Sequence, residues 1–475
     1  MHRAPLTVRL AAEAVCFLAA LGTVVSKDSP REAADVGAPI VSGKLGIADA
    51  LKLALVNNRD LQTVIQERER ARGRVFEAYA EALPKVALQG NYERVGDLPG
   101  ILLDLDDPAS RVSFGFLDSY AVDLNVTQPL FKGGQVGAAL RASRLYRTLA
   151  DEQVRLAAQE TAYTTSLAYY RVLLVREQLR VAENYLRLSE VQRKDTETKR
   201  KFGVASDFNL LRADVDVSNA SATVVRYRNL LSRATYDLLR IMGVSQNSDV
   251  ELTELLEYRP ASVDEEGAGR QASANRPDIA SADLEVGLQK EAVTFARSWY
   301  WPRIDLYATG TVAKADPVIS NLNDWGDLWR AGVTLRFDVF DGFARKGRLI
   351  QEKAALRQLE IQRLETGERA QFEVREAALS IQDAAEAVEV QRKTVEQASE
   401  GLRLAEVGYR EGTLEQVEIL DARASLTQAQ FLYYEAIHAH VISLLALERA
   451  KGTLGPALEA VPGVGPLPGP PAADR

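Results

Sequence analysis

The chain has 475 residues, of which 46% are hydrophobic, so it is long enough for two to four domains with an ordinary core. Its 58 basic and 66 acidic residues give a net charge of -8 without long single-sign blocks, which argues against a nucleic-acid-binding protein. Beyond the N-terminus no window offers the roughly 18 consecutive apolar residues of a membrane-spanning helix, so entry into a membrane would require strands.

The N-terminal segment, residues 1–26, has the pattern of a secretory signal peptide. Two arginines precede an apolar run at 14–25, which contains Cys16, the only cysteine. We do not expect lipidation of Cys16, because Glu13 and Val15 stand where a lipoprotein signal has an aliphatic and a small residue. Removal of the signal leaves an exported chain without thiols, which excludes disulfides and a catalytic cysteine.

An internal duplication organises the rest of the chain. The motif "NNRDLQ" at 57–62 resembles "NRPDIA" at 275–280, and residues 131–243 align without a gap with residues 340–452. Two similar repeats are therefore predicted. In chain order, the predicted parts are an N-terminal linker at 27–45, a first repeat at 46–243, an inter-repeat linker at 244–272, a second repeat at 273–454 and a disordered proline-rich tail at 455–475.

Each repeat is predicted to begin with a helical segment, at about 46–81 and 273–299, and to end with a long helical hairpin. Residues 134–201 contain no proline and would form roughly 100 Å of helix at about 1.5 Å per residue. In the second repeat a heptad series runs from Val374 to Tyr409, with alanines at alternate layers. This series predicts a left-handed coiled coil, and its length disfavours one face of a compact bundle.

Two alternating runs lie between these helices in each repeat. Residues 120–127, 304–312 and 331–339 place apolar side chains on one face and polar ones on the other. This period fits either a half-buried soluble sheet or a membrane barrel with a wet lumen. The tryptophans favour the barrel, because two precede the outgoing run and two open the returning run, which suits the two interfaces of a bilayer. The predicted membrane-interface aromatics are Trp299, Trp301, Trp325 and Trp329.

Four strands per chain cannot close a barrel, and an open sheet edge in lipid leaves unpaired backbone groups. Subunits must therefore share one barrel. Two chains would supply eight strands and a filled interior, whereas three would supply twelve and an open lumen. A pore thus favours at least a trimer.

Three stretches together resemble the TolC-like outer-membrane efflux protein family: "NRPDIASADLEVGLQKEAVTFARSWYWPRIDL", "VTQPLFKGG" and "GYREGTLEQVEILDARASLTQAQ". The resemblance covers residues 46–454. It implies an α plus membrane β-barrel fold class, in which a homotrimer forms a 12-stranded barrel in outer-membrane lipid and a periplasmic α-helical coiled-coil tunnel. It also implies two partners, a periplasmic adaptor (membrane fusion) protein and an inner-membrane pump of the RND, ABC or MFS class.

By the same resemblance, the turns of the two long hairpins form the tunnel tip that adaptor proteins contact. The implied tip residues are Gly203, Val204, Ser206, Asp207, Gly412, Thr413 and Leu414. The family also places two acidic residues at the narrowest point of the tunnel, here Glu418 and Asp421, so three chains would present six carboxylates that attract cations. From the residues alone, such a charge pair is also typical of a solvated helix face.

The chain departs from the family pattern at the gate. Tyr409 matches a gate tyrosine, but Leu414 stands at the position of a gate arginine and Asn209 at that of a gate acid. Closure would then depend on packing and on a hydrogen bond between Tyr409 and Asn209.

Other function classes have little support in the sequence. No phosphate-binding glycine loop, nucleophile elbow or zinc spacing occurs, so neither an enzyme nor a cofactor or metal is expected. His438 and His440 point to different sides of a helix, which makes surface or packing roles more plausible than a metal pair. The alternative function is a soluble periplasmic coiled-coil adaptor without its own channel, which would need no membrane strands.

Overall fold

A computed structural model describes residues 38–96, 100–102, 111–113, 118–314 and 325–455. The predicted signal peptide with Cys16, residues 27–37 of the first linker and residues 456–475 of the tail lie outside the described residues. Among the described helices, none combines the length and the apolar character needed to cross a bilayer.

The first half of the chain contains a short strand, two helices, four strands and a helical hairpin. These elements are β1 (Ser42–Leu45), α1 (Ile47–Asn57), α2 (Arg59–Ala80), β2 (Lys85–Arg94), β3 (Gly100–Leu102), β4 (Arg111–Ser113), β5 (Asp118–Lys132), α3 (Gln135–Lys201) and α4 (Asp207–Met242). The long helix α3 has 67 residues and begins within a residue of the predicted position.

The second half repeats this order, with two described strands between its helices where the first half has four. Its elements are β6 (Asp249–Leu252), α5 (Glu265–Asn275), α6 (Pro277–Ser298), β7 (Arg303–Lys314), β8 (Trp325–Arg336), α7 (Ala344–Arg410) and α8 (Gln416–Ala450). Helix α7 also has 67 residues. The region predicted as an inter-repeat linker carries β6 and most of α5, and the returning strand β8 ends three residues before the predicted alternation does.

The opening helical segment of each repeat is broken where the sequence predicts one continuous helix. Asn58 has an extended backbone, and its side chain accepts a hydrogen bond from the Leu61 backbone N–H at 3.0 Å, which caps α2. Arg276 is also extended, because it precedes Pro277 and the proline ring disfavours a helical conformation there. Each break therefore has a local cause that the helical pattern conceals.

One compact unit of the chain draws on residues 73–145 and 287–357. It contains an antiparallel four-stranded sheet in the order β2, β5, β7, β8, so strands of the two repeats meet at its centre. Strand β5 shifts register between Pro129 and Phe131, because proline has no N–H to donate to the ladder.

The other compact unit draws on the described residues 38–72, 146–286 and 358–455. It buries the predicted heptad series of α7 over its first five layers, including Val374, Ile381 and Val388. Farther along α7 the series is half-buried, and Ala405 is buried again. The structure thus buries the predicted heptad seam over these residues, and its left-handed supercoil stays a prediction.

Within this second unit, β1 and β6 form a parallel pair that is hydrogen-bonded to side chains in the middle of α3. The Tyr169 hydroxyl donates to the Leu45 carbonyl at 3.0 Å and to the Glu254 carboxylate. The guanidinium of Arg176 donates to the carbonyls of Leu252 and Glu254 at 2.7 and 2.6 Å. The pair thus gains buried polar contacts that two isolated strands would lack.

Candidate functional site

The four-stranded sheet has one apolar and one polar face. Leu306 lies opposite Val333 in the β7–β8 register, and both side chains are exposed in the single chain, Val333 by 61%. On the other face Thr311 lies opposite Asp123, and its hydroxyl donates to the Asp123 carboxylate at 2.6 Å. Because an exposed apolar face is costly in water, this sheet suits a surface that meets lipid or another chain.

The tryptophans lie at two opposite ends of the β7–β8 hairpin, as the sequence predicts. Trp325 opens β8 opposite Lys314, and Trp329 follows opposite Gly310. Trp301 precedes β7 at the other end and is exposed. Trp299 differs from these three, because it is half-buried beside two arginines. The membrane-interface role of all four stays a prediction.

The predicted tip residues occupy the turns of the two long hairpins. Gly203 and Gly412 have φ values of 77° and 75°, a left-handed conformation that favours glycine, and open space surrounds the position of a β-carbon at each. The Ser206 side chain accepts a hydrogen bond from the Asn209 backbone N–H at 3.2 Å and so caps α4. Asp207 pairs with Arg200 at 2.5 Å.

The two turns lie side by side around a cavity of about 490 Å³. Of the predicted residues, the structure brings Val204, Asn209, Tyr409, Gly412 and Leu414 to the lining of this cavity. Thr413 adjoins it, and its hydroxyl donates to the Gly408 carbonyl at 3.0 Å.

Tyr409 contacts Lys199 and not Asn209. The Lys199 ammonium lies 4.2 Å from the centroid of the Tyr409 ring, which links the end of α3 to the end of α7. Burial alone would lower the pKa of Lys199, but hydrogen bonds to Asp195 and Tyr409 outweigh it and raise that pKa. Among the described hydrogen bonds of this single chain none joins Tyr409 to Asn209, although both line the tip cavity, and the predicted bond in the closed gate stays a prediction.

Glu418 and Asp421 are both exposed at the start of α8, outside the lining of the tip cavity. The Glu418 carboxylate accepts a hydrogen bond from the Glu415 backbone N–H, so it also caps the helix. Their neighbours Ile419 and Leu420 are buried, which turns the acidic pair toward solvent. The structure places the pair together on an accessible face, and the constriction role stays a prediction.

A buried arginine near the tip was missed by the sequence reasoning. Arg423 on α8 donates to the Leu188 carbonyl at 3.2 Å and lies 3.4 Å from the Glu406 carboxylate, so it joins three helices. Close by, the Tyr185 hydroxyl donates to Asp216 at 2.7 Å, and burial together with this hydrogen bond raises the pKa of Tyr185. These contacts hold α3, α4, α7 and α8 in one arrangement behind the turns.

A signal for this cluster does exist in the sequence. Gln416 and Arg423 lie 21 and 14 residues before the buried Ile437, so both occupy heptad positions that are usually apolar. A polar side chain at such a position indicates a specific partner. The Gln416 amide indeed donates to the Thr196 hydroxyl at 3.3 Å.

The histidines pack inside the helical unit. His440 is fully buried and its ring meets that of Tyr258 edge-on at 4.8 Å. Burial, with Arg171 nearby, lowers the pKa of His438 to about 4, and burial lowers that of His440 as well.

Comparison with known proteins gives a consistent set of similarities. The sequence model of the family described as Outer membrane efflux protein matches residues 50–244 and 268–453. The chain is 27% identical to the alkaline protease secretion protein AprF of Pseudomonas aeruginosa over 306 aligned residues. This alignment covers 63% of this chain and 62% of that protein. Over 413 residues it is 24% identical to the probable efflux pump outer membrane protein TtgC of Pseudomonas putida, covering 85% and 83%.

Solved structures show the same fold at low identity. The CusC structure aligns with a TM-score of 0.73 and 20% identity, over 86% of this chain and 92% of that one. The open-state MtrE outer membrane channel of Neisseria gonorrhoeae aligns with a TM-score of 0.70 and 20% identity, over 86% and 89%. The predicted fold class of a duplicated helix, hairpin and long helical hairpin is therefore confirmed.

Proposed function

The chain belongs to the outer membrane efflux protein family, and we propose that it is the outer-membrane channel of a tripartite efflux or type I secretion system. It gives small molecules or proteins an exit across the periplasm and outer membrane. The observation that carries this proposal is the four-stranded sheet with its exposed apolar face and its tryptophans at both ends. A soluble adaptor would have no use for such a sheet.

The edges of the sheet support a homotrimer. Strands β2 and β8 each pair on one side only among the described strands. In lipid, each unpaired backbone N–H or C=O group on such an edge costs several kcal/mol. Joining β8 of one copy to β2 of the next satisfies both edges, and three copies form a 12-stranded barrel with an open lumen.

The helices support the same assembly through a second, unpartnered heptad series. On α4 the exposed apolar residues follow the three-and-four spacing of a coiled-coil seam, separate from the series that α4 buries in its own chain. They are Phe208, Leu211, Val215, Val225 and Tyr236. Helix α7 also exposes apolar side chains, though without one continuous heptad spacing: Ile361, Leu364, Phe372, Leu379 and Val390. In a ring of copies, these two apolar surfaces of neighbouring chains cover each other.

The exposed turns at Gly203 and Gly412 are the proposed contact surface for a periplasmic adaptor protein, which in turn connects to an inner-membrane pump. Phe202 and Val204 beside the first turn are among the most exposed apolar side chains described. Glu418 and Asp421, on their accessible helix face, are the proposed constriction of the tunnel.

Fractionation and conductance test the channel directly. We expect heat-sensitive trimers in the outer-membrane fraction and a conducting pore after reconstitution into a planar bilayer. A soluble periplasmic monomer would contradict the proposal and favour the adaptor.

For the tip, Gly203→Val and Gly412→Val force a β-branched residue into a left-handed backbone, so we expect export to fail while membrane trimers persist. Gly401→Val, in open space on α7, is the control for a general effect of valine.

A further inference from the structure

Trp299 contacts two arginines, neither of which has an acidic partner among the described residues. The guanidinium of Arg303 is 3.7 Å from the centroid of the Trp299 ring, and that of Arg348 is 5.2 Å from it. Nη2 of Arg303 is buried and has no hydrogen-bond acceptor. Within the part of the chain that the structure describes, neither guanidinium forms an ion pair. Two guanidiniums that contact one indole ring and form no ion pair can bind an anion.

A groove of about 460 Å³ adjoins this arginine pair. It is lined by apolar side chains that include Ala138, Ala142, Ala292 and Phe295, and by Arg348. Two carboxylates also line the groove: Glu291 is paired with Arg141 through contacts of 2.9 and 2.8 Å, whereas Glu352 accepts from the neutral Gln289 amide at 2.5 Å and keeps its charge. Three arginines at or beside the groove, Arg141, Arg303 and Arg348, thus outnumber its two carboxylates, next to an apolar lining.

The neighbouring segment between β8 and α7 presents exposed apolar side chains on a fixed backbone. Arg345 donates to the carbonyls of Val339 at 3.1 Å and Trp299 at 3.4 Å, which ties the segment to Trp299. Phe340 and Phe343 are exposed by 74% and 69%. Phe343 has a φ of 68°, and the repeat offset aligns it with Gly134 of the first repeat.

An aromatic residue in the left-handed region carries backbone strain that a glycine avoids. The chain therefore keeps a phenylalanine at a strained, exposed position where its own first repeat has glycine. Such a side chain gains most if its surroundings are lipid.

We propose that Arg303 and Arg348 bind the phosphate of an anionic phospholipid, with one acyl chain in the adjoining groove. This inference rests on the proposed function, which puts the Trp299 end of the sheet at the periplasmic leaflet of the outer membrane. A phospholipid is the occupant that uses the arginines, the apolar groove and the phenylalanines together. A free phosphate would use the arginines alone.

The test measures phospholipid binding to the purified full chain in a neutral detergent by native mass spectrometry. We expect phosphatidylglycerol to bind at least tenfold more tightly than phosphatidylcholine. The double variant Arg303→Gln, Arg348→Gln should lose this preference. Because Arg303 is half-buried, the exposed Arg348→Gln alone is the variant that is safest for folding, and it should weaken phosphatidylglycerol binding about threefold or more. Arg330→Gln, at an exposed position of β8 away from the groove, should have no effect.

A second variant separates lipid from free phosphate. Ala292→Trp fills the groove without touching the charges, so it should weaken phosphatidylglycerol binding as strongly as the loss of Arg348. The proposal is overturned if both lipids bind equally, if the arginine variants bind as the parent does, or if millimolar inorganic phosphate displaces the lipid. A groove covered by a neighbouring copy would give no lipid binding at all, which also overturns it. A chain that conducts normally in a bilayer but shows no lipid preference contradicts this inference and leaves the channel proposal intact.

Discussion

Gly243 packs directly against the backbone of Asn57, so closely that a β-carbon at Gly243 would collide with the Asn57 carbonyl. Gly243 caps α4 with a left-handed φ of 69°. The second repeat makes the same contact: Gly452 has a φ of 72°, and a β-carbon there would lie 2.9 Å from the backbone nitrogen of Arg276. In each repeat, the glycine at the end of the last helix thus packs against the backbone where the two opening helices meet.

Gly243→Ala should therefore destabilise the helical unit strongly. The left-handed backbone and the collision with Asn57 each cost on the order of 1–3 kcal/mol. Thermal unfolding followed by circular dichroism should show a lower transition temperature for Gly243→Ala, and also for Gly452→Ala. Gly401→Ala is the matched control, because its surroundings are open and alanine favours a helix by about 0.5–1 kcal/mol over glycine. Equal stability of Gly243→Ala and the control would contradict this account.

The duplication, the long helices and the strand faces could be predicted from the sequence because each depends on local periodicity. The offset even matched Gly243 with Gly452. What periodicity cannot supply is the partner of a side chain far along the chain. The Asn58 amide donates to the Ile241 carbonyl at 2.9 Å, whereas in the second repeat Arg276 reaches the Ala450 carbonyl at 3.4 Å. An amide makes this contact in the first repeat and a guanidinium makes it in the second. Aligning the two repeats does not indicate that these side chains have equivalent partners.

Charges on the two faces of the sheet should have unequal effects. Leu306→Lys or Val333→Lys places an ammonium on the apolar face and should cost about 2–4 kcal/mol near the bilayer midplane, which blocks insertion. Thr309→Lys and Thr334→Lys, on the polar face, should assemble normally. The measurement is the yield of membrane trimers on a semi-native gel. A similar loss on both faces would show that the strands do not span a membrane.

Stability should fall with acid between about pH 6.5 and 4. Burial, with Arg171 nearby, lowers the pKa of His438 from an ordinary 6.5 to about 4, so the unfolded chain binds a proton in this window that the folded chain does not. The stability that the folded chain has with a neutral His438 is fully present above pH 6.5. As the pH falls toward 4, the free energy of unfolding decreases by up to about 3 kcal/mol. His438→Gln should flatten denaturant unfolding free energy against pH between 5 and 6.5. An unchanged slope would mean that other groups titrate there.

The acidic pair on α8 should set ion selectivity. Glu418→Gln with Asp421→Asn removes six charges from a trimer, so cation preference in planar-bilayer recordings should fall and block by multivalent cations should weaken. The amide is chosen because its oxygen can still accept the hydrogen bond from the Glu415 backbone, so the helix cap survives. Glu415→Gln, a carboxylate nearby that is not part of the proposed ring, is the charge control. Unchanged selectivity in the double variant would remove the constriction assignment.

The contact between Lys199 and Tyr409 should hold the resting pore closed. Leu414 and Asn209 cannot form an ion pair, so the direct polar link between the ends of α3 and α7 at this level is the ammonium over the ring, worth about 0.5–1 kcal/mol at an exposed site. Lys199→Met removes the charge and keeps the chain length, and should raise resting conductance by roughly two- to fivefold, the factor that this energy represents.

Tyr409→Leu should do the same, whereas Tyr409→Phe keeps the ring and most of the attraction. Adding a second link with Leu414→Arg and Asn209→Asp should lower conductance below that of the parent chain. If Lys199→Met is no leakier than the parent, closure depends on other contacts, of which the Arg423 bridge to Glu406 and Leu188 is the next to remove.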